Sequence, residues 1–444
     1  MKPQIPAVPH YLNEHLAIDN APPGHRFALY FPIWKIDWSM DKTKKNVALR
    51  KIIDYGNYEL DLLKKIRHRQ DKSAEALGEM VWTLPTVTTS PFVTGVGMEH
   101  PLENGFAFLS PYGLPYLPGS SVKGVLRKAA EELALMEDDA DRKGWDIFTL
   151  WRLFGFDAVS AYLSKPSKLP NVASLSEMAE ERKQKYLVAA LTIGEKYILE
   201  FMESVLPVYV QKAYKNAPHD FLSDLSNNKS LRESVSFRGA LAFWDVFPEP
   251  AGKKLGVDII NPHHKKYYQS NEPPADCESP TPSFFLVVPP ETGFVFHVGC
   301  ETNRLPETLR DKWKSLIQTA FDYTCDWLGF GAKTAVGYGS LKCVDLSNTL
   351  SNKNFKPKIQ HQKSAHSSPE KHIWEQALLG WQPDSGTLLA KTVKGLKAEI
   401  HLGNDRTLIS AEVIGRIRKK KQVKARVIVE PIGRSFKIIH VEVL

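Results

Sequence analysis

Between Pro118 and Leu135 the apolar residues Val122, Val125, Leu126, Ala129, Ala130 and Leu133 fall at offsets of 0, 3, 4, 7, 8 and 11. That spacing places all six on one face of an α-helix, and such a face has to be buried. Pro118 and Gly119 mark the start of the helix, with Ser120 and Ser121 as N-cap candidates. A second amphipathic helix is expected over Pro306–Leu328, with Trp313, Leu316, Ile317, Ala320, Phe321, Thr324 and Leu328 on one side. It runs directly into a glycine-rich segment, Gly329–Gly339 (GFGAKTAVGYG), and a strand to Val344 follows.

Strand-like runs surround these helices. His25–Lys35 reads as a first strand, Val81–Gly97 as a strand entering a loop, Phe237–Val246 as a strand, and Ser283–Gly299 as a hairpin around Pro289–Gly293. Gly56–Met80 reads as a surface helix, and Asp141–Leu231 alternates helical apolar patches with polar breaks. The order is the βαββαβ of an α+β, ferredoxin-like (RRM-like) core over residues 1–345, with a helical insertion at about 136–235. Residues 346–372 are rich in Ser, Asn, Lys and His and read as a flexible linker. Beyond them, Thr387–Val393, Leu396–Leu402, Thr407–Ile414, Val423–Val429 and Phe436–Val443 are short β-type runs, so residues 373–444 are expected to form a small OB- or SH3-like barrel.

Of 444 residues, 43% are hydrophobic and 24% charged, which excludes wholesale disorder. No apolar run approaches the roughly 18 residues of a membrane span, and Met1–Ala21 has no apolar signal core, so a cytoplasmic protein is expected. Cys277, Cys300, Cys325 and Cys343 lack zinc or disulfide spacing and are expected to be reduced. The net charge of +8 suits a polyanionic partner. Most of that excess lies in Ile373–Leu444, with thirteen Lys/Arg against seven Asp/Glu.

Three segments have the chemistry of a phosphate-binding surface. In the first helix Lys123 and Arg127 project away from the apolar stripe, one turn apart, with Gly124 between them on the outer side. A side-chain-free position flanked by cations admits another backbone, and the Ser120 and Ser121 hydroxyls stand where a helix N-terminus favours anions. An ordinary capped helix with exposed cations remains the plainer reading of this string. In the second segment Gly329, Gly331, Gly337 and Gly339 permit close approach, Lys333 can meet a phosphate, and Phe330 or Tyr338 can stack on a base. A simple glycine-rich turn fits it as well. The third, Asp258–Tyr268, sets His263, His264, Lys265 and Lys266 beside two tyrosines. That mixture suits single-stranded nucleic acid and less readily a general base. Arg416–Lys421 is a basic run, either a solvated turn or an accessory RNA patch.

Several chemistries are excluded. Val125 and Leu126 stand where a P-loop needs Lys and Ser/Thr, and Thr334 breaks a dinucleotide fingerprint. No paired acidic cluster of the two-metal kind is visible, Asp245 reads as a structural acceptor, and no metal or cofactor is expected.

Taken in order, these segments resemble the RAMP superfamily of CRISPR proteins. Gly113–Arg127 (GLPYLPGSSVKGVLR) is similar to that family's PGSS-K-G-x-x-R helix, and Gly329–Gly339 to its glycine-rich loop. Glu99-His100-Pro101, Leu153–Gly155, Gly239–Val246 and Asp258–Tyr268 bring the likeness closest to the sixth subunit of the type III-B (Cmr) effector. The resemblance covers about Arg26–Val344. It implies a non-catalytic RNA-binding subunit at the 3′ end of a guide-RNA filament. The implied partners are guide CRISPR RNA, target RNA, the RAMP backbone subunit, the small helical subunit and a terminal RAMP subunit. Target cutting in such complexes belongs to the backbone subunit's loop aspartate; here the Gly95–Gly105 loop has Glu99 and His100 instead. The alternative is a metal-independent RAMP endonuclease that processes guide RNA, with His100, His263 or His264 as general acid/base. The segment after Leu346 departs from the family pattern.

Overall fold

The computed structural model describes residues 6–9, 11, 20–40, 44–101, 103–157, 173–261, 282–344, 372–382, 387–392, 397–401, 417, 423–432 and 435–443. The chain divides into two compact units, Met1–Phe355 and Lys356–Leu444.

The first unit is organised by a four-stranded antiparallel sheet. Its strands are β1 (Val81–Thr88), β2 (Leu241–Phe243), β3 (Gly293–Cys300) and β4 (Leu341–Cys343), in the spatial order β4-β1-β3-β2. The β1–β3 ladder is the longest, from Val81 opposite Gly299 to Val87 opposite Gly293. Two helices join the strands, α1 (Gly119–Ala134) between β1 and β2 and α2 (Trp313–Tyr323) between β3 and β4. The stripe read from sequence is the one α1 buries: Val122, Leu126, Ala129, Ala130 and Leu133 are each at most 1% exposed, while Val125 at its edge is half-buried. Aromatic rings fill the layer between α2 and the sheet, with Phe321 against Trp82 at 5.6 Å and edge-on to Phe296 at 4.9 Å.

Helices predominate between α1 and β2. Ile147–Phe154 is capped by Asp146, whose carboxylate accepts from the backbone of Phe148 and Thr149 and from the Thr149 hydroxyl. Trp145 donates from its indole to Thr319 of α2 at 3.1 Å, fastening this segment to the core. The helices Ala173–Leu191, Glu195–Val205, Val208–Tyr214, Pro218–Asn227 and Lys229–Ser234 follow.

The structure changes three of the sequence expectations. Phe237–Val246 is not one strand: Phe237–Arg238 pairs with Gly155–Phe156, and Leu241–Phe243 joins the central sheet, with Gly239 packed against the backbone of Leu153–Gly155 between them. His25–Lys35 is not a strand: Pro22 and Pro23 set the dihedrals of a helix start, and Pro23–Ala28 is helical. Ser283–Gly299 is not a hairpin. Ser283–Val287 pairs with Gly256–Ile260, whereas Gly293–Cys300 joins the central sheet. Pro289 and Pro290 have no N–H to extend a ladder, and Glu291 turns the chain at φ 63°.

The second unit is a closed barrel of β5 (His372–Gln382), β6 (Thr387–Lys391), β7 (Lys397–His401), β8 (Val423–Ile432) and β9 (Ser435–Val443), in the order β5-β6-β7-β9-β8. Every contact is antiparallel except β7 with β9. Alternation fills the interior with Ala377, Leu379, Leu388, Ala390, Ala425, Val427 and Ile438, while Lys391, Lys424 and Arg426 stay outside. The sequence reading left β5 out. Thr407–Ile414 and residues 346–371 lie outside the described residues.

Glu131 of α1 is 2% exposed, between Arg182 at 3.2 Å and Lys128 at 3.6 Å, and accepts from the Tyr186 hydroxyl. Burial pushes its carboxyl up to about 7, against an opposing pull from the Tyr186 bond and Arg127. A carboxyl raised on folding stabilises the fold while protonated, and that contribution is lost as pH climbs from about 4.5 through 7. Glu131→Gln is therefore expected to flatten the pH dependence of stability across that window by on the order of 3 kcal/mol. Urea denaturation of both proteins at a series of pH values measures it.

Candidate RNA interface

The helix α1 begins where it does because of a close approach. A Cβ on Gly119 would lie 2.3 Å from the Phe243 carbonyl oxygen, so only glycine lets the helix start pack on the end of β2. The Gly119 N–H donates to the Asp245 carboxylate at 2.7 Å. Pro118 holds the N-cap position without a side-chain bond, and Ser120 and Ser121 lie inside the first turn. The expectation that a serine caps the helix is thus corrected: Asp245, arriving from the end of β2, accepts that first donor. Ser121 donates its N–H to the Pro118 carbonyl at 2.9 Å.

Beyond this anchored start the helix turns its polar side outward. Ser120 and Gly124 are exposed, and Ser121, Lys123 and Arg127 are half-buried. Outside the helix's own backbone and chain neighbours, no atom of the described residues lies within 4 Å of a Cβ built on Gly124, so the position read from sequence as open is open among them. Arg127 donates from Nη1 to the Gly155 carbonyl at 2.9 Å. Gly155 pairs in register with Arg238, which brings a third cation alongside. Burial, then the charges of Arg127 and Arg238, hold the Lys123 ammonium below the usual lysine range, with Asp157 opposing. An anion placed beside Lys123 would relieve the repulsion it feels from the two arginines. Arg238 was passed over in the sequence because it sits at the foot of a strand-like run. Only the Gly155–Phe156 pairing with Phe237–Arg238 brings it beside Lys123.

The glycine-rich segment separates into structural and open positions. Phe330 is fully buried, 4.9 Å from Phe296 and 5.2 Å from Phe321, so it is a core residue and not a base-stacking one. Gly339 is buried against it, where a Cβ would lie 1.8 Å from the Phe330 carbonyl oxygen. Gly331, at φ +88°, is also packed on backbone, where a Cβ would lie 2.3 Å from the Val93 carbonyl oxygen. Gly329 is half-buried, and Gly337 is exposed with no atom of the described residues beyond its chain neighbours within 4 Å of a Cβ built there. Lys333 takes a left-handed backbone and sets its ammonium 5.1 Å from the centre of the Phe285 ring. Tyr338 donates its hydroxyl to Asp258 at 2.7 Å, and burial with that bond pushes it up to about 12. Sequence reasoning missed Trp327, which is 75% exposed on the wide turn Thr324–Leu328 leading into this loop. Its signal was its absence from the apolar stripe of the second helix.

Among the histidines, His100 is stacked on Phe27 at 3.7 Å and donates from Nε2 to the Phe27 carbonyl at 2.9 Å. Burial lowers its basicity. His263, His264, Lys265, Lys266 and Cys277, and all of Arg416–Lys421 except Ile417, lie outside the described residues. Cys300 and Cys325 form no disulfide among the described residues. Among the described residues no cluster of three His, Cys, Asp or Glu side chains could hold a metal, and no helix is long and apolar enough to cross a membrane.

The family model of the RAMP superfamily matches residues 87–342. The chain is a RAMP-superfamily protein. That RAMP span contains α1 with Ser120, Ser121, Lys123, Gly124 and Arg127, and nearly all of the segment from β1 through β4. Among curated proteins, the CRISPR system Cmr subunit Cmr6 of Pyrococcus furiosus is 30% identical over 264 residues, covering 57% of this chain and 65% of that relative. The match thus spans slightly under two thirds of the relative's length. Among solved structures, the cryo-EM structure of a type III-B Cmr-beta complex bound to cognate target RNA covers 68% of this chain and 71% of its own, at 17% identity and a TM-score of 0.36. The crystal structure of Cmr6 from Pyrococcus furiosus covers 60% and 98%, at 28% identity and a TM-score of 0.26.

The open and packed glycines respond differently to a methyl group. Gly124→Ala is expected to stabilise the fold by about 1 kcal/mol through helix propensity. Gly339→Ala, at φ +74° and against backbone, is expected to cost at least ~2 kcal/mol. Denaturant midpoints of the two variants check both signs.

Proposed function

We propose that this RAMP protein is a non-catalytic RNA-binding subunit of a type III-B CRISPR ribonucleoprotein of the Cmr kind. In this reading α1 holds the sugar–phosphate backbone of the guide. Lys123, Arg127 and Arg238 supply charge, Gly124 leaves room for the strand, and the Ser120 and Ser121 hydroxyls donate to phosphate. The turn at Gly337 and the face of Trp327 flank the strand, with Lys333 nearby. The observation that carries the reading is Lys123, held below the usual lysine range by burial and by the nearby charges of Arg127 and Arg238, beside an open glycine. The 30% identity to a Cmr subunit supplies the biological setting. Guide CRISPR RNA, target RNA and the other Cmr subunits (the RAMP backbone subunit, the small helical subunit and the terminal RAMP subunit) are the proposed partners, with this chain toward the guide's 3′ end. The cytoplasm is the proposed compartment.

The proposed fold assignment is ferredoxin-like for the first unit. Its connectivity is strand, α1, two strands, α2, strand, and its sheet order runs fourth, first, third, second. For the second unit, the barrel order with its single parallel contact is read as OB-like.

The endonuclease alternative draws no support from His100, whose ring is stacked and whose Nε2 proton is committed to a carbonyl. His263 and His264 keep that alternative testable.

Lys123→Ala is expected to weaken guide retention alike for RNAs of different sequence and to lower the salt slope by about one. Fluorescence anisotropy across a potassium chloride series measures both, and unchanged affinity and slope would overturn the assignment. Incubation of the pure chain with labelled precursor RNA in EDTA is expected to leave the RNA intact. Site-specific cleavage lost in His263→Ala or His264→Ala would establish the endonuclease instead.

A further inference from the structure

A cavity of about 450 Å³ opens beside Arg238, walled by the helices Ile147–Phe154 and Glu195–Val205 and by the turn at Asn303–Pro306. Arg152 lies in its wall, 4% exposed. Its guanidinium sits 5.4 Å from the Phe201 ring centre and 5.7 Å from that of Tyr197. Its Nε and Nη2 have no hydrogen-bond partner among the described residues. Burial holds this guanidinium below the usual arginine range, and the charges of Tyr197, Glu200 and Asp146 oppose that effect. Glu200 shares the cavity wall, yet neither it nor any other described residue accepts from those two nitrogens. An arginine cannot shed its proton to escape burial, and both nitrogens are closed off from solvent, so an acceptor in the cavity satisfies them once the guanidinium turns toward it.

The rim is built for the same purpose. Arg238 and Arg304 both reach Glu301, at 2.5 and 3.5 Å, and Arg304 donates to the Arg238 carbonyl at 2.7 Å. Glu301 thus holds two guanidinium groups at the mouth while Arg152 waits behind them. Phe237 offers an apolar wall, and the volume exceeds the needs of a bare anion while suiting a nucleotide.

We infer that this cavity receives one phosphate-bearing nucleotide of an RNA strand, with the phosphate between Arg152, Arg238 and Arg304. Arg238 selects RNA over an acidic peptide as the occupant, because it also belongs to the trio with Lys123 and Arg127. A strand lying on α1 therefore passes the mouth of the cavity. The choice of RNA rests on the function proposed above; the phosphate site itself rests on Arg152 and the rim.

The test uses the full chain. Calorimetric titration with a 3′-nucleoside monophosphate is expected to show binding that Arg304→Gln weakens about tenfold and Arg152→Lys abolishes. Circular dichroism confirms that each variant is folded; should Arg152→Lys fail to fold, the partly exposed rim variant Arg304→Gln carries the test. Lys123→Ala is expected to leave nucleotide affinity within about twofold while weakening RNA. Nucleotide binding that persists with Lys123→Ala having no effect on RNA would overturn the α1 reading and keep the cavity. Absence of nucleotide binding, with RNA affinity the same for Arg304→Gln as for the parent, would overturn the cavity and keep the α1 reading. An RNA ending in a 3′-phosphate that binds more tightly than its 3′-hydroxyl counterpart assigns the site to a strand terminus; equal affinities assign it to an internal phosphate. A photo-reactive residue at Ser204, in the cavity wall, is expected to cross-link RNA in the assembled particle. An adduct to an acidic segment of another subunit, with none to RNA, overturns the inference.

Discussion

The first residue of α1 is pressed against the end of β2. A Cβ at Gly119 would collide with the Phe243 carbonyl, and the Gly119 N–H is held by Asp245. These two contacts fix where the helix starts and therefore its rotation about its own axis. With the rotation fixed, Val122, Leu126 and Ala129 face the sheet, and Lys123, Gly124 and Arg127 cannot do so. The polar face of α1 is thus a consequence of how its buried face is anchored.

The surface beside it has two depths. On the outside, Lys123 loses some of its preference for charge, first through burial and then because Arg127 and Arg238 stand close by. Behind them, Arg152 keeps a guanidinium beside the Phe201 and Tyr197 rings without satisfying two of its donors. Both arrangements cost stability in the free protein. Arg238 links the two, through its pairing with Gly155 on one side and its ion pair with Glu301 on the other.

The glycine-rich segment shows how composition alone misleads about exposure. Eleven residues with four glycines read as an open ligand cradle, and Phe330 read as a ring available to a base. In the fold, Gly331 and Gly339 are glycines because backbone passes within contact of them, and Phe330 completes the core between Phe296 and Phe321. Gly337 is the one of the four with open space around it. The aromatic ring that solvent reaches is Trp327, one turn earlier.

The sequence by itself determined the local order: the two amphipathic helices, the side of α1 that is buried and the alternating strands of the second unit. Each depends on residues within a few positions of one another, where a period of 3.6 or of 2 shows directly. Tertiary structure decided what brings distant segments together. The partners of Ser283–Val287 and Gly293–Cys300, the capping of α1 by Asp245 and the meeting of Arg152, Arg238 and Arg304 all join residues far apart in the chain. No periodicity encodes such meetings. They follow from which strands pair and which helices cover them, and that is settled only when the whole apolar surface is buried at once.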